Sequence, residues 1–177
     1  MVKKWMKACC LAAAMIGTAH AAQQTYVVGS GGTYRPFEFE NSQKQLEGFD
    51  IDIIKAIAKA EGFDIKLVNT PWEGIFATLS TGDRDIIISG ITITDKRKQM
   101  VDFSAPYFPA EQSIVVPADS KVTSLEALKS EKVGVVNSST GDIVVSDVLG
   151  KNSTAIKRFD NTPLMLQELF EDGVSAA

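Results

Sequence analysis

Arg97, Thr92 and Thr94 fall within the stretch Ser89-Gly90-Ile91-Thr92-Ile93-Thr94-Asp95-Lys96-Arg97, and residues of these types can together hold a small anion. The apolar run Ile86-Ile87-Ile88 just before it reads as a buried strand, which Ser89 and Gly90 open into a loop at its carboxyl end. Thr94 can cap a short helix beginning at Asp95, which puts Arg97 in the first turn. One edge of the sheet then presents backbone N–H groups, threonine hydroxyls and a guanidinium. That set suits the paired oxygens of a carboxylate or phosphate. Pairing of Arg97 with Asp95 or Asp102 is the alternative that the local residues leave open.

The elements that must position this loop follow from periodicity. Tyr26-Val27-Val28-Gly29 is a strand running into Ser30–Phe37, and Phe37, Phe39 and Leu46 bracket a polar turn at 40–44, as in a small hairpin. A helix opens at Gly48-Phe49-Asp50, with Ile53, Ile54, Ile57 and Ala58 at helical spacing and Gly62 where a C-cap glycine belongs. A strand over 63–68, a helix through Ile75, Phe76 and Leu79 ending at Gly82, and a strand over 85–88 complete a parallel α/β pattern. Ligands of such sheets collect beyond the carboxyl ends of the strands. Three loops satisfy that condition and are expected to converge: 30–34, 69–73 and 89–97.

Beyond Gln112–Val116, an apolar strand leading out of this unit, Pro117–Ser120 reads as a linker to a second α/β unit. Thr123 and Glu126 spell a capping box with Thr123 as the cap. A strand over 132–136 ends in Asn137-Ser138-Ser139-Thr140-Gly141-Asp142. A helix over 143–149, a strand over 155–159 and a helix over 163–170 follow, the last with Thr162 as cap and Pro163 at its first position. Asp50, Asp52, Glu61 and Asp64 read as solvated helix-end charges, and Arg84 as locally paired with Asp83 and Asp85. Gly29-x-Gly31-Gly32 is too short and wrongly placed for a dinucleotide fingerprint.

The first residues read as an export signal over 1–21: Lys3, Lys4 and Lys7, then the apolar Leu11–Ile16, then Ala19-His20-Ala21. Cleavage there removes Cys9, Cys10 and His20, so the mature chain has neither thiol nor imidazole. Cysteine nucleophiles, Ser–His catalysis and His or Cys metal sites are excluded on that ground. Met6-Lys7-Ala8 does not resemble a lipoprotein box. Removing the three lysines leaves 15 basic residues against 22 acidic ones, a net charge near −7. That disfavours nucleic acid as a partner but not a cationic small ligand. No segment after the signal is long and apolar enough to span a bilayer.

The block from Gly82-Asp83-Arg84-Asp85 to Asp102-Phe103-Ser104-Ala105-Pro106-Tyr107 resembles the central signature of bacterial extracellular solute-binding proteins of family 3, and the likeness runs from Tyr26 to the last residue. The resemblance implies a periplasmic binding protein-like type II fold, two α/β lobes joined by a hinge, with lobe 1 over 22–115 and lobe 2 over 116–177. It also implies that the chain stops before the last strand of lobe 2, before the aspartate that meets a ligand's ammonium group, and before the return to lobe 1. An incomplete second lobe is therefore expected.

Carried onto this sequence, the resemblance makes Arg97 the bidentate partner of an amino acid's α-carboxylate. Thr92 supplies a backbone N–H and a hydroxyl, and Thr140 or Gly141 supplies N–H groups from the second lobe. A carbonyl of Ser89 or Gly90 accepts from the ammonium. Tyr34 and Trp72 form aromatic walls suited to a long aliphatic or cationic side chain. Gly31 stands where many relatives carry an acidic or polar residue, and Asn137 where some carry a lysine. The expected function is capture of a polar amino acid in the periplasm, of arginine or lysine type or glutamine, by a monomer that delivers it to the permease of an ABC importer. No catalytic residue, metal or cofactor is called for. A dehydratase on the same scaffold is the rival, but it needs a cleft carboxyl with a raised pKa, and the sequence names none. A sensing ectodomain is the third reading.

Overall fold

A computed structural model gives the structure of residues 23–177; the expected export signal, with Cys9, Cys10 and His20, lies outside the described residues. The first unit runs β1 (Thr25–Ser30), β2 (Thr33–Tyr34), β3 (Glu38–Glu40), β4 (Leu46–Glu47), α1 (Phe49–Glu61), β5 (Asp64–Asn69), α2 (Ile75–Ser80), β6 (Ile86–Ile87) and α3 (Asp95–Lys98). β1 is the middle strand of a parallel sheet of order β5-β1-β6. Its register pairs Ser30 with Asn69 and Gly29 with Ile87, so all three strands end at one edge. The loops over 30–34, 69–73 and 89–97 leave from that edge, as the pattern of strands and helices requires.

The core of this unit is Val28, Ile54 and Ile88, with Ile65, Leu67 and Ile86 packed against it. On α1 the buried stripe is Asp50, Ile51, Ile54 and Ala58, whereas Ile57 is exposed. Spacings of three and four allowed either stripe, and packing against the sheet selects the one through Ile51. The helix ends at Gly62 in the left-handed region, as read from the sequence. It is entered through Gly48 at φ 123°. A Cβ there would strike the Phe37 carbonyl, so the hairpin and the helix can meet only at a glycine.

The second unit holds a short 3₁₀ turn (Glu126–Ser130), β7 (Val133–Val136), α4 (Thr140–Leu149), β8 (Ile156–Phe159) and α5 (Thr162–Phe170). β7 and β8 are parallel, Val133 opposite Ile156 and Val136 opposite Phe159. The last residues return to the same sheet: Gly134 donates to the Ala176 carbonyl at 2.8 Å, and Val115 and Ala177 exchange backbone bonds of 2.8 and 2.9 Å. Leu128, Val133, Val135, Val145, Ile156 and Ala176 form the core, on which Ile114, Val116, Val122 and Leu149 pack.

Two cap assignments and one helix start change. Ser124, not Thr123, accepts the free N–H of the 3₁₀ turn, from Ala127 at 3.3 Å, and no capping box forms with Glu126, which pairs with Lys129. Asn161, not Thr162, caps α5. α4 begins already at Thr140, because the Ser139 hydroxyl accepts from Asp142 N–H at 3.1 Å and starts the helix there. Arg84 also differs from expectation. Its guanidinium bonds Thr70 Oγ1 and the Asp83 carbonyl, while the Asp85 carboxylate accepts from Val27 N–H. Among the described residues no helix is long and apolar enough to cross a membrane.

Candidate ligand-binding cleft

Arg97 is held by the loop chemistry read from the sequence. Thr94 caps α3 by accepting from Arg97 N–H on its Oγ1 at 3.2 Å, which sets the backbone direction of that turn. The side chain is 6% exposed. Nη1 donates to the Thr92 carbonyl at 2.9 Å and Nη2 to the Ser138 carbonyl of the second unit at 3.4 Å. The guanidinium carbon lies 5.3 Å from the Trp72 ring centroid and 5.4 Å from that of Phe76. The Asp95 carboxylate pairs with Lys98 at 3.6 Å instead. Among the described residues no carboxylate forms an ion pair with Arg97, and residues 1–22 contain no Asp or Glu. Burial pulls the Arg97 pKa below its ordinary value, although an arginine keeps its charge. Asp95 and Asp102 are thus not its partners. A buried cation without an anion is unfavourable as it stands.

Arg97 faces a cleft of about 1670 Å³ between the units, lined also by Tyr34, Trp72, Ser89, Gly90, Thr92, Thr140 and Gly141. The cleft runs on to the apolar residues Leu128, Val133 and Val135 of the second core. Of the residues that the resemblance assigns to the ligand, Asn137 alone does not line it; instead its backbone carbonyl accepts the Trp72 indole N–H at 2.9 Å. Tyr34 lies against Gly90, where a Cβ would meet the ring at 3.1 Å. With φ at +55° as well, position 90 admits only glycine without strain. Trp72 therefore lines the cleft with its ring and ties the units together with its indole N–H. Trp72→Phe keeps the face and loses the bond. A ligand held between the units should dissociate several-fold faster from this variant, for a loss of about 1 kcal/mol, measurable by stopped-flow fluorescence.

At the second unit's side, Ser139 and Asp142 already engage the start of α4. Asp142 is 8% exposed. It accepts from Ser138 N–H at 3.0 Å, from Ser146 Oγ at 3.0 Å and from Arg158 Nε at 3.0 Å. Burial alone would raise its pKa, but the Arg158, Ser138 and Ser146 bonds together hold it below the usual value. Its contribution to stability is therefore full above the ordinary carboxylate range and is lost as the pH falls through the lowered value. Asp142→Ala should remove about 2–4 kcal/mol and flatten the acid limb of unfolding, followed by circular dichroism between pH 6 and 2. Gln112, which the sequence did not single out, donates from Nε2 to Thr140 Oγ1 at 3.2 Å.

Behind the Ser89–Gly90 turn stand residues that sequence reasoning missed. Asp50 was expected in solvent, yet it is fully buried. It accepts Gly90 N–H at 2.6 Å and Tyr107 Oη–H at 3.0 Å. Burial, then the nearby Asp50 charge, push the Tyr107 phenol well above its ordinary pKa. Glu38, 2% exposed, accepts the Ser89 hydroxyl at 2.7 Å, and Ser89 Oγ in turn accepts Gly31 N–H at 3.0 Å. Burial raises the Glu38 pKa to about 8; the Ser89 bond opposes this and Asp50 adds to it. The only available signal was acids within otherwise apolar stretches, Phe37-Glu38-Phe39 and Phe49-Asp50-Ile51. Among the described residues no group of three or more His, Cys, Asp or Glu side chains could hold a metal.

Comparison with known proteins decides the lineage. Residues 26–175 match the bacterial extracellular solute-binding proteins, family 3. The chain belongs to that family. It is 41% identical to a probable histidine-binding protein of Neisseria gonorrhoeae, over 99% of this chain and 70% of that protein. Among solved structures, an ancestral arginine-binding protein bound to arginine superposes with a TM-score of 0.82 at 42% identity, over 87% of this chain and 69% of that one. An ancestral amino acid-binding protein, a precursor of cyclohexadienyl dehydratase, superposes with a TM-score of 0.80 at 40% identity, over 86% and 68%. The fold is that of type II periplasmic amino-acid-binding proteins, mixed α/β as expected. The chain spans 70% of the first curated relative and 56% and 54% of the next two.

Proposed function

We propose that the chain is a non-enzymatic, periplasmic amino-acid-binding protein, monomeric, which captures a polar and preferentially basic amino acid and delivers it to the permease of an ABC importer. One observation carries the reading: a buried guanidinium at the mouth of a two-sided cleft, with no anion of its own. An α-carboxylate supplies that anion in bidentate geometry. Thr92 and the N–H groups of Thr140 and Gly141 serve its remaining oxygens, and carbonyls of Ser89 or Gly90 receive the ammonium. Tyr34 and Trp72 flank the side chain. Asn137 contributes through its backbone, by closing the units on Trp72. Contacts from Trp72 to Asn137 and from Arg97 to Ser138 cross between the lobes assigned to 22–115 and 116–177. A ligand bound on both sides therefore favours the closed form. The relatives named for histidine and arginine support a basic ligand.

The test is a thermal-shift screen of the chain against the twenty amino acids. One or two polar amino acids should raise the midpoint by several degrees; no response to any of them refutes the proposal. A second reading draws on Glu38, a carboxyl that is neutral at pH 7 and lines the cleft. It is the proton donor that a dehydratase requires. Conversion of prephenate to phenylpyruvate, carbon dioxide and water by the chain, lost in Glu38→Gln, would establish that reading instead.

A further inference from the structure

Glu38 has no place in the carboxylate end of the cleft, and its surroundings are unusual. Oε1 takes the Ser89 hydroxyl, and Oε2 is buried without a hydrogen-bond partner. The groups around it come from four directions. α1 contributes Asp50, whose oxygens are taken by Gly90 and Tyr107. The segment after α3 contributes the Tyr107 phenol. The turn after β6 contributes the Ser89 hydroxyl, and the first loop contributes the Gly31 N–H. On its own hairpin, Glu40 is engaged by Lys44. No Lys or Arg among the described residues bonds or pairs with Glu38 or Asp50. One wall of the cleft thus holds a cation without an anion, and another holds two acids without a cation.

Gly31 keeps the second wall open. A Cβ at that position would lie 3.0 Å from Ser89 Oγ and 3.6 Å from Glu38 Oε1, so a larger side chain would fill the approach to both. Ser89 also lines the cleft, and its hydroxyl has an acceptor lone pair beyond the one given to Gly31. We propose that the Glu38 carboxyl, acting through the Ser89 hydroxyl and backed by Asp50, is the counter-charge for a cationic ligand side chain, and that it releases its proton to solvent when such a ligand binds. The proposal rests on the amino-acid-binding reading above and adds the residue that answers the side chain's charge and a proton balance.

The sign follows from the geometry. An incoming ammonium or guanidinium favours the ionised carboxyl, whereas a neutral side chain leaves it protonated. Because free Glu38 holds its proton up to about pH 8, affinity for a cationic ligand rises about tenfold per pH unit below that value and levels off above it. A neutral isostere shows no such slope.

The experiment is isothermal titration calorimetry of the chain with L-arginine, L-lysine and L-citrulline at pH 7, each in phosphate and in Tris. The heats for arginine or lysine should differ between buffers by close to one released proton, about half a proton at pH 8 and almost none by about pH 9.5; citrulline should release none. In Glu38→Gln the proton release disappears and the arginine-to-citrulline affinity ratio falls about tenfold or more. Arginine or lysine heats that are independent of buffer on the unaltered chain overturn the proposal, whether or not the variant folds. Binding of neutral amino acids alone overturns it too and leaves the amino-acid-binding reading intact, while no binding of any amino acid defeats that reading and this one with it.

Discussion

Arg97→Ala should abolish the ligand-induced thermal shift while leaving the midpoint of the empty protein within a few degrees of the parent. The two halves of that result come from one fact. Arg97 is 6% exposed, and its guanidinium meets carbonyls of Thr92 and Ser138 and the rings of Trp72 and Phe76. In the empty cleft it is a desolvated cation without a counter-ion, so its removal relieves about as much as it loses. In the loaded cleft of the proposed function it would receive the ligand's carboxylate, and truncating one partner of such a pair costs about 2–5 kcal/mol, or about 30- to 5000-fold in affinity. Arg97→Lys should recover little, because an ammonium cannot present two parallel donors to a carboxylate. Calorimetric titration with the amino acid found by screening checks both variants. An Arg97→Ala protein that binds as tightly as the parent would remove the basis of the proposed function.

Asp50→Ala should be the most damaging change to the fold of the site. Asp50 is fully buried, and its oxygens serve Gly90 N–H at 2.6 Å and Tyr107 Oη at 3.0 Å. Removing it leaves a backbone donor and a phenol unsatisfied in the interior, a loss of about 3–5 kcal/mol for hydrogen bonds to a charged acceptor. The Ser89–Gly90 turn, whose carbonyls are assigned to the ligand's ammonium, would no longer be seated. Asp50→Asn retains one acceptor oxygen and should lose less stability, about 1–3 kcal/mol. Urea denaturation measures both, and Tyr107→Phe, which removes only the phenol bond, should fall between the parent and Asp50→Asn. If Asp50→Ala unfolds at the parental urea concentration, the buried acid has no structural role.

Much was legible along the chain because it depends on neighbours in sequence. The alternation of apolar runs and helical spacing placed the strands β1, β5 and β6 and the helices between them, and β-strand ends in a parallel sheet necessarily share an edge. The Thr94 cap of α3 is likewise local, since a hydroxyl reaches an N–H three residues on. Cap choice failed where two eligible residues were adjacent. Thr123 or Ser124, and Asn161 or Thr162, differ only in which backbone turns first, and the packing of the helix decides that.

What this sequence determined by itself was the family signature, the parallel α/β order and the place of Arg97 in its loop, all carried by residues a few positions apart. Only the tertiary structure decided which charges are in water. Glu38 lies between two phenylalanines on a hairpin strand and Asp50 lies in a helix's first turn, and both positions are ordinarily solvated. They are buried because β3 and α1 pack beneath the Ser89–Gly90 turn, 51 and 40 residues further along the chain. Periodicity records which face of an element is apolar, but the cost of burying a carboxyl depends on partners that only the folded chain brings within reach. The same holds for Asn137, whose side chain was a candidate and whose backbone carbonyl is what Trp72 meets across the cleft.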